Sequence, residues 1–198
     1  MTNVFVIGLA GLARCGKNEY AEMLRTEFEA NGDVGVVYPM AKPLKDASAI
    51  LLNLSYEDMN GEGIDRDAPL PQFSNGVSVR TFLQLLGTEF ARNMIDQSFW
   101  TNHARDYIRN LAKTLDLPET KTLYVLIPDV RFDNEAAMIT DDLDGMVMRI
   151  FRPGLTKMDH ASEAGISEDY IFTTIRNDGT IDDLRDSAKR FAKRIANY

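Results

Sequence analysis

The sequence predicts an α/β fold in which helices cover both faces of a mostly parallel central sheet. Short apolar runs rich in β-branched residues alternate along the chain with segments whose apolar residues recur every three or four positions. Most of these runs are near-continuous, which is typical of strands buried on both faces of a parallel sheet. Strands that alternate with helices imply right-handed crossovers and a three-layer sandwich.

Five apolar runs are predicted as strands. They show no internal repeat, and no low-complexity tract separates them. Their spacing leaves room for a helix in most of the connections, as parallel strands require. The predicted strands are residues 4–10, 34–38, 122–127, 146–151 and 170–175.

Three other segments have the spacing of amphipathic helices. The last of them begins with a capping pair, Thr180 and Asp183, and ends rich in Lys and Arg, which suits the helix dipole. The apolar positions are Tyr20, Met23, Leu24 and Phe28 in the first helix, Val79, Phe82, Leu83, Leu86 and Phe90 in the second, and Ile181, Leu184, Ala188, Phe191 and Ile195 in the last.

Length and composition predict a single domain over residues 1–198. The chain has 198 residues, of which 44% are hydrophobic, so it can bury a full core. The region at about 57–76 is rich in Gly, Pro and acidic residues and resembles an insertion. We expect a substrate or specificity insertion there, and a plain surface loop is the alternative.

The charge and the cysteine content exclude several classes of protein. A formal net charge of −8 argues against bulk binding to nucleic acid or to anionic membranes, although clustered cations can still bind a small anion. We expect no signal peptide and no transmembrane helix. Cys15 is the only cysteine, so we expect no internal disulfide and a reducing, cytoplasmic setting. No cluster of Cys and His suggests a structural metal.

The stretch GLARCGKN, which follows the first predicted strand, matches the phosphate-binding motif G-x-x-x-x-G-K at Gly11, Gly16 and Lys17. Glycines let the backbone curl so that successive N–H groups form a nest for an anion, and the following helix adds its dipole. Lys17 is expected to bridge the outer phosphates of a nucleotide. A glycine-rich turn without a ligand is the alternative, but strand, spacing and helix all favour a nucleotide site.

The residues inside and after this loop raise further questions. Asn18 occupies the position that normally carries Ser or Thr for Mg²⁺. Its amide oxygen could bind the metal directly or through a water, since Mg²⁺ keeps several waters. Arg14 is either a contact to phosphate or adenine or a solvated side chain, and Cys15 is expected to be a small residue that lines the loop.

Two further groups of residues suggest anion chemistry. Arg80, Gln84, Thr88 and Arg92 repeat every four positions and predict a polar line along the second helix, either a site for phosphate and base or a solvated face. Gly87 interrupts this helix, which is tolerable if something packs closely there.

The second group, Asp129 and Arg131, ends the third strand, where ligands of open α/β sheets bind. Asp129 could hold the metal and Arg131 could neutralise the transferring charge, whereas a surface ion pair is the alternative.

Five motifs in order carry a family resemblance: GLARCGKN, MAKPLK, LQLLGTEFAR, DVRFDNEA and HASE. Together they resemble the deoxynucleoside monophosphate kinases of tailed bacteriophages, which have the P-loop kinase fold with a mobile lid and a substrate insertion. The resemblance implies transfer of the γ-phosphate of ATP, with Mg²⁺, to a deoxynucleoside monophosphate for viral DNA synthesis in the host cytoplasm. Relatives often carry Asp and then Thr after the loop lysine, whereas this chain has Asn18 and Glu19.

The resemblance also assigns roles to residues. Together with the motifs above, it implies catalytic roles for Lys17, Asp129, Arg131 and Arg152. It also implies a lid near 152–165 that includes Lys157 and is flanked by Arg149. The metal site is expected at Asn18 and Asp129 from the chemistry of these two side chains. The donor nucleotide is expected at Gly11, Arg14, Cys15, Gly16, Lys17 and Asn18. The acceptor is expected at Lys42, Lys45, Arg80, Gln84, Thr88, Glu89, Arg92, Trp100 and His160.

Two alternatives remain open from the sequence. One is a dephospho-coenzyme A kinase or another kinase of a small metabolite, and the other is a nucleotide sensor or ATPase that transfers nothing. The expected partner is a small-molecule deoxynucleotide, without nucleic acid or membrane, and a homodimer is left open. The accepted bases and the exclusion of ribonucleotides are also left open.

Overall fold

The computed structural model describes residues 2–156 and 165–195. Its five-stranded sheet has the order β2-β3-β1-β4-β5, and every neighbouring pair is parallel. All five predicted strands and the predicted parallel sheet are confirmed. The strands are β1 (Asn3–Ala10), β2 (Val34–Val37), β3 (Thr122–Val130), β4 (Met146–Phe151) and β5 (Ile171–Arg176).

Within the described residues, seven α-helices connect or follow the strands, and π-helical turns continue two of them. The predicted cap of the last helix is confirmed, because Thr180 N–H donates to Asp183 Oδ2 at 2.8 Å and Asp183 N–H donates to Thr180 Oγ1 at 3.2 Å. The helices are α1 (Lys17–Ala30), α2 (Lys42–Leu52), α3 (Tyr56–Asn60), α4 (Val79–Gln84), α5 (Phe99–Leu115), α6 (Asp133–Ala137) and α7 (Ile181–Ile195), with π-helical segments at Leu85–Ile95 and Met138–Asp142.

Helices pack on both faces of the sheet, as the sequence predicts. On one face α1 and α7 pack together over alternate residues of β1, β3 and β4, and Phe28 stacks on Tyr124 with ring centroids 3.7 Å apart. On the other face, the segment after α6 approaches Gly8 so closely that a Cβ there would lie 2.6 Å from Ile139 Cδ1. The structure is therefore a three-layer sandwich around a parallel sheet.

The chain divides into two compact units. The first contains residues 1–39 and 103–198 and holds the whole sheet, and the second contains residues 40–102. Within the second unit, the side chains of Leu52, Met59 and Val79 are buried in a small apolar core of their own. The region at 57–76 lies within this unit. A single domain over 1–198 stays a prediction, as do the specificity role of 57–76 and a lid near 152–165.

The second predicted helix differs from its prediction after Gln84. The α-helical hydrogen bonds end there, and a π-helix runs over Leu85–Ile95. The i→i+5 pattern of a π-helix shifts which positions face the core. As a result Phe90, predicted as part of the apolar stripe, is 49% exposed, and Thr88, predicted on the polar line, is buried. The prediction that Phe90 belongs to the buried stripe is wrong, whereas the burial of Thr88 argues only against the alternative of a solvated face at that position.

Close packing at Gly87 is confirmed. A Cβ at this position would lie 2.6 Å from Leu44 Cδ2, so a larger residue would have to displace the Leu44 side chain of α2. Among the residues that the structure describes, no helix combines the length and the apolar character needed to cross a membrane.

Candidate active site

The loop between β1 and α1 has a backbone that only certain residues tolerate. Gly11, Arg14 and Gly16 all have positive φ, of 137°, 64° and 100°. Cys15 N–H donates to Leu12 O at 3.3 Å and closes a turn inside the loop. These conformations curl the chain before α1 begins at Lys17, as a phosphate-binding nest requires.

The two motif glycines have no room for a side chain. A Cβ on Gly11 would lie 2.4 Å from the carbonyl oxygen of Ile150 and 2.9 Å from Cys15 Sγ. A Cβ on Gly16 would lie 2.6 Å from Asn177 Nδ2. The loop is therefore fixed against the ends of β4 and β5 as well as by its own turn.

The ammonium group of Lys17 lies over the curled backbone. Its Nζ donates to Gly11 O and to Leu12 O, each at 2.7 Å, and lies 3.8 Å from Cys15 Sγ. These bonds hold the positive charge at the start of the loop. An anion that entered the nest would meet both this charge and the N-terminal dipole of α1.

A cavity of about 150 Å³ opens beside this loop at the carboxyl ends of β1, β3 and β4. This volume is below the roughly 300–1,000 Å³ of pockets that enclose a whole drug-sized ligand, so its described walls suit a phosphate chain better than an entire nucleotide. Four of its lining side chains are cationic, which favours an anionic ligand. They are Lys17, Arg131, Arg149 and Arg152.

The position of this cavity agrees with the topology of the sheet. The connection that leaves β1 runs toward β2 at one edge, whereas the connection that leaves β3 runs toward β4 on the other side. Ligands of open α/β sheets bind in the crevice where such connections diverge. The loop and the end of β3 lie on the two sides of that crevice, so the predicted convergence of Lys17 and Arg131 is observed.

The turn after β3 is held by a buried carboxylate. Glu135, 6% exposed, accepts hydrogen bonds from the backbone N–H of Arg131 at 2.7 Å and of Phe132 at 3.1 Å. Asp133 accepts a further hydrogen bond from Ser167 N–H at 2.7 Å. The acidic residues of DVRFDNEA thus fix the backbone that carries Arg131 and tie it to the segment that precedes β5.

Arg149 is paired in the present structure. Its Nη1 lies 2.6 Å from Oε1 and 2.7 Å from Oε2 of Glu168, in the short 3₁₀ turn Glu168–Tyr170. The carboxylate is largely exposed. An anion in the cavity would therefore compete with Glu168 for this guanidinium.

Asp129 is absent from the lining of the cavity, and its charge acts on Tyr38, one of a pair of stacked tyrosines. Tyr38 stacks on Tyr107 with ring centroids 4.2 Å apart, and its hydroxyl lies 3.1 Å from His103 Nδ1. Burial raises the pKa of Tyr38, and the charge of Asp129 and the neighbouring Tyr107 raise it further. Asp129 is therefore close enough to affect the Tyr38 hydroxyl, and its metal role stays a prediction.

Asn18 is exposed in the first turn of α1 and is likewise absent from the cavity lining. Within residues 2–156 and 165–195, no group of three His, Cys, Asp or Glu side chains has the arrangement of a metal site. Mg²⁺ in kinases needs only one or two protein oxygens beside substrate phosphates and water. The amide of Asn18 and the carboxylate of Asp129 are of the right chemistry for that smaller demand.

In the second unit, the two lysines predicted for the acceptor share one aromatic ring. Lys42 Nζ lies 5.2 Å and Lys45 Nζ 6.0 Å from the centroid of Tyr56. Lys42 also pairs with Asp46 at 2.6 Å, and Lys45 donates to Asn60 Oδ1 at 2.7 Å. These contacts bring two cations to the junction of α2 and α3, a feature that spacing alone did not indicate.

Arg80 is held by the region predicted as an insertion. Its Nε and Nη2 reach the two carboxylate oxygens of Asp67 at 2.5 Å and 3.2 Å, a bidentate pair. Planar, two-point recognition of this kind is also how arginine binds phosphate. Farther along, Glu89 accepts a hydrogen bond from Asn93 at 2.9 Å on an exposed surface.

The other predicted acceptor residues have mixed environments. Trp100 Nε1 donates to Gly87 O at 2.8 Å and its ring meets Phe99 edge-on, so it packs within the second unit. Gln84 and Arg92 are half-buried. The acceptor roles of these residues stay predictions. His160 and Lys157 lie outside the described residues.

Sequence reasoning missed residues that contact the loop or the cavity from far along the chain. Asn177 Nδ2 donates to Cys15 O at 2.9 Å, and Ile166 lines the cavity. Asn177 follows the last strand directly, which is a signal of a residue at the ligand edge of the sheet. Its contact with Cys15, 162 positions away, requires the fold.

Comparison with known proteins identifies similar chains. The family model described as deoxynucleotide monophosphate kinase matches residues 71–188. The chain is 24% identical to the deoxynucleotide monophosphate kinase of Escherichia phage RB69 in an alignment that covers 90% of this chain and 96% of that protein.

Two further relatives match over a shorter stretch. The deoxynucleotide monophosphate kinase of Enterobacteria phage T4 is 30% identical over 118 residues, 59% of this chain and 46% of that protein. The deoxynucleoside-5′-monophosphate kinase of Escherichia phage T5 is 31% identical over 106 residues, 50% of this chain and 39% of that protein. These two alignments span less than half of the relatives' length. Among solved structures, dephospho-CoA kinase from Campylobacter jejuni aligns over 97% of both chains with a TM-score of 0.40 and 16% identity.

Proposed function

The chain belongs to the deoxynucleotide monophosphate kinase family, and we propose that it transfers the γ-phosphate of ATP to a deoxynucleoside 5′-monophosphate. One observation of the structure supports the reaction type most strongly. Lys17, Arg131, Arg149 and Arg152 line one cavity beside a backbone nest that can hold phosphate. Phosphoryl transfer needs mainly positioned cations around three equatorial oxygens, and this cavity supplies them.

On the donor side, the loop from Gly11 to Lys17 binds the phosphate chain of ATP through backbone N–H groups. Lys17 exchanges its hydrogen bonds with Gly11 O and Leu12 O for contacts with the outer phosphates. Arg149 likewise exchanges its pair with Glu168 for contacts with the phosphates, because a polyphosphate carries more negative charge than one exposed carboxylate. Arg131 and Arg152 neutralise the charge that moves during transfer.

Magnesium is the metal that this chemistry requires. Asn18 and Asp129 are the residues that would hold it, through an amide and a carboxylate oxygen. When bound, Mg²⁺ neutralises and orients the phosphate oxygens of the donor. The chain's own residues supply the remaining charge, and the hydrogen bonds of Glu135 to the backbone of Arg131 and Phe132 keep this turn in place.

The acceptor is a deoxynucleoside monophosphate bound by residues of the second unit. The two-point edge of the Arg80 guanidinium is occupied by Asp67, and the acceptor phosphate would take the place of that carboxylate. Lys42 and Lys45 add positive charge near Tyr56. Gln84, Thr88, Glu89, Arg92 and Trp100 of the same unit complete this set. His160, which lies outside the described residues, is a further candidate that rests on the family resemblance alone. The reaction takes place in the cytoplasm of the infected host cell, and the oligomeric state stays open between monomer and homodimer.

Coupled ADP release tests the proposal. The purified chain is incubated with ATP and Mg²⁺ and with each of the four deoxynucleoside monophosphates, the matched ribonucleotides and dephospho-coenzyme A. Release that requires a deoxynucleotide supports the proposal and gives the base range. Release without any acceptor supports an ATPase or nucleotide sensor, and release with dephospho-coenzyme A alone supports a different small-molecule kinase.

A further inference from the structure

We propose that Asn177 is a positioning residue that orients the Cys15–Gly16 peptide so that its N–H faces the bound phosphates. The inference rests on the proposed function, because it concerns how the loop holds a phosphate chain. Asn177 lies directly after β5, outside the phosphate-binding motif, and its side chain contacts the loop directly at the carbonyl of Cys15. Its role is to act on the ligand through Gly16.

Two hydrogen bonds fix Asn177 against the loop. Its backbone N–H donates to Phe151 O at 2.7 Å, which ties the residue to the end of β4. Its side-chain Nδ2 donates to Cys15 O at 2.9 Å, across 162 positions of sequence. The amide is thus held by the sheet on one side and reaches the loop on the other.

The planarity of the peptide bond turns this contact into a constraint on Gly16. In a trans peptide the carbonyl and the N–H point in opposite directions. Because Cys15 O points at Asn177, the N–H of Gly16 must point away from it. Cys15 and Lys17, the neighbours of Gly16, both line the cavity. On this proposal, the N–H of Gly16 is one of the donors that the nest offers to phosphate.

The Gly16–Lys17 peptide, which follows in the chain, is also held by a hydrogen bond. Gly16 O accepts the first helical hydrogen bond of α1 from Tyr20 N–H at 2.9 Å. Asn177 and Tyr20 therefore hold the two peptides on either side of Gly16. Gly16 has a φ of 100°, and because it has no Cβ its backbone can adopt other conformations if these bonds are lost. Without Asn177, the Cys15–Gly16 peptide can flip and present a carbonyl oxygen to the phosphates.

The experiment compares Asn177→Ala with a matched control, Asn3→Ala. Asn3 Nδ2 also donates to a backbone carbonyl, that of Glu119 at 3.2 Å, but at the opposite end of β1. Calorimetry measures the affinity of each protein for inorganic tripolyphosphate, steady-state kinetics measures KM for ATP and for the acceptor, and thermal melting checks folding. We expect Asn177→Ala to weaken tripolyphosphate and ATP binding about tenfold, the effect of one hydrogen-bond donor.

The outcomes separate this inference from the proposed function. Weaker tripolyphosphate binding with an unchanged acceptor KM, and no change in Asn3→Ala, supports the role of Asn177. If the wild type binds tripolyphosphate and the dissociation constant of Asn177→Ala lies within twofold of the wild-type value, the inference alone is overturned. A wild-type chain that binds no tripolyphosphate overturns the proposed function and the inference together.

A second measurement needs no variant and remains decisive if Asn177→Ala does not fold. The amide resonance of Gly16 is followed by ¹⁵N NMR in the unmodified protein during addition of tripolyphosphate. A downfield shift of this resonance on binding supports an N–H that faces the phosphates. A Gly16 amide that stays unchanged at saturation overturns the proposal.

Discussion

Replacement of Gly11 by alanine tests whether the loop is held against the end of β4. The new Cβ would lie 2.4 Å from Ile150 O, a backbone atom that cannot rotate away, and 2.9 Å from Cys15 Sγ. The φ of 137° adds backbone strain of about 1–3 kcal/mol for a residue with a side chain. Overpacking of this kind adds about 1–3 kcal/mol more, so we expect Gly11→Ala to destabilise the fold by about 2–6 kcal/mol.

Gly32→Ala is the matched control for this prediction. Gly32 has a φ of 89°, but a Cβ there would meet no heavy atom within 4 Å. It therefore isolates the backbone strain, which we expect to cost about 1–2 kcal/mol. Urea unfolding gives both free energies, and calorimetry with tripolyphosphate gives both affinities. Equal stabilities of the two variants, together with unchanged affinity in Gly11→Ala, would refute the packing argument.

Three further predictions concern side chains. Glu168→Gln releases Arg149 from its carboxylate partner, so the affinity for tripolyphosphate should rise. The free energy of unfolding should change by less than about 1 kcal/mol, as expected for an exposed ion pair. An unchanged dissociation constant for tripolyphosphate contradicts this prediction. Arg80→Ala should raise KM for the deoxynucleotide and leave KM for ATP unchanged, and equal rises in both would remove Arg80 from the acceptor site. Burial raises the pKa of Tyr38 above its ordinary value of 10.0, so the folded state retains a proton that the unfolded chain loses. Stability should therefore fall as pH rises above about 10, with a smaller fall in Tyr38→Phe; identical slopes in urea titrations of the two proteins would disprove it.

The order of strands and helices could be predicted because each depends on local pattern. The buried runs of β1 and β3, the amphipathic spacing of α1 and α7, and the Thr180–Asp183 cap are all encoded within a few residues. The sequence also predicted that a side chain packs closely against Gly87, but it did not identify Leu44 as that side chain.

The π-helical segment could not be predicted from a period of 3.6 residues. An apolar stripe that includes Phe90 fits an α-helix, whereas the observed winding buries Thr88 and Ala91. In the same way, motif spacing identified Lys17 and Arg131 but not Asn177 or Glu168, because their partners in the loop and in β4 become neighbours only after the sheet forms.

Label transfer from [γ-³²P]ATP tests the central claim most directly. The wild-type chain is compared with Lys17→Ala and with Lys121→Ala, an exposed lysine that precedes β3 at the other end of the strands. We predict labelled deoxynucleoside diphosphate in a one-to-one ratio with ADP for the wild type and for Lys121→Ala. For Lys17→Ala we predict a loss of at least about 100-fold in rate, typical of removing one charge-stabilising donor. Label found only in inorganic phosphate, or a Lys17→Ala rate equal to that of Lys121→Ala, would contradict the account.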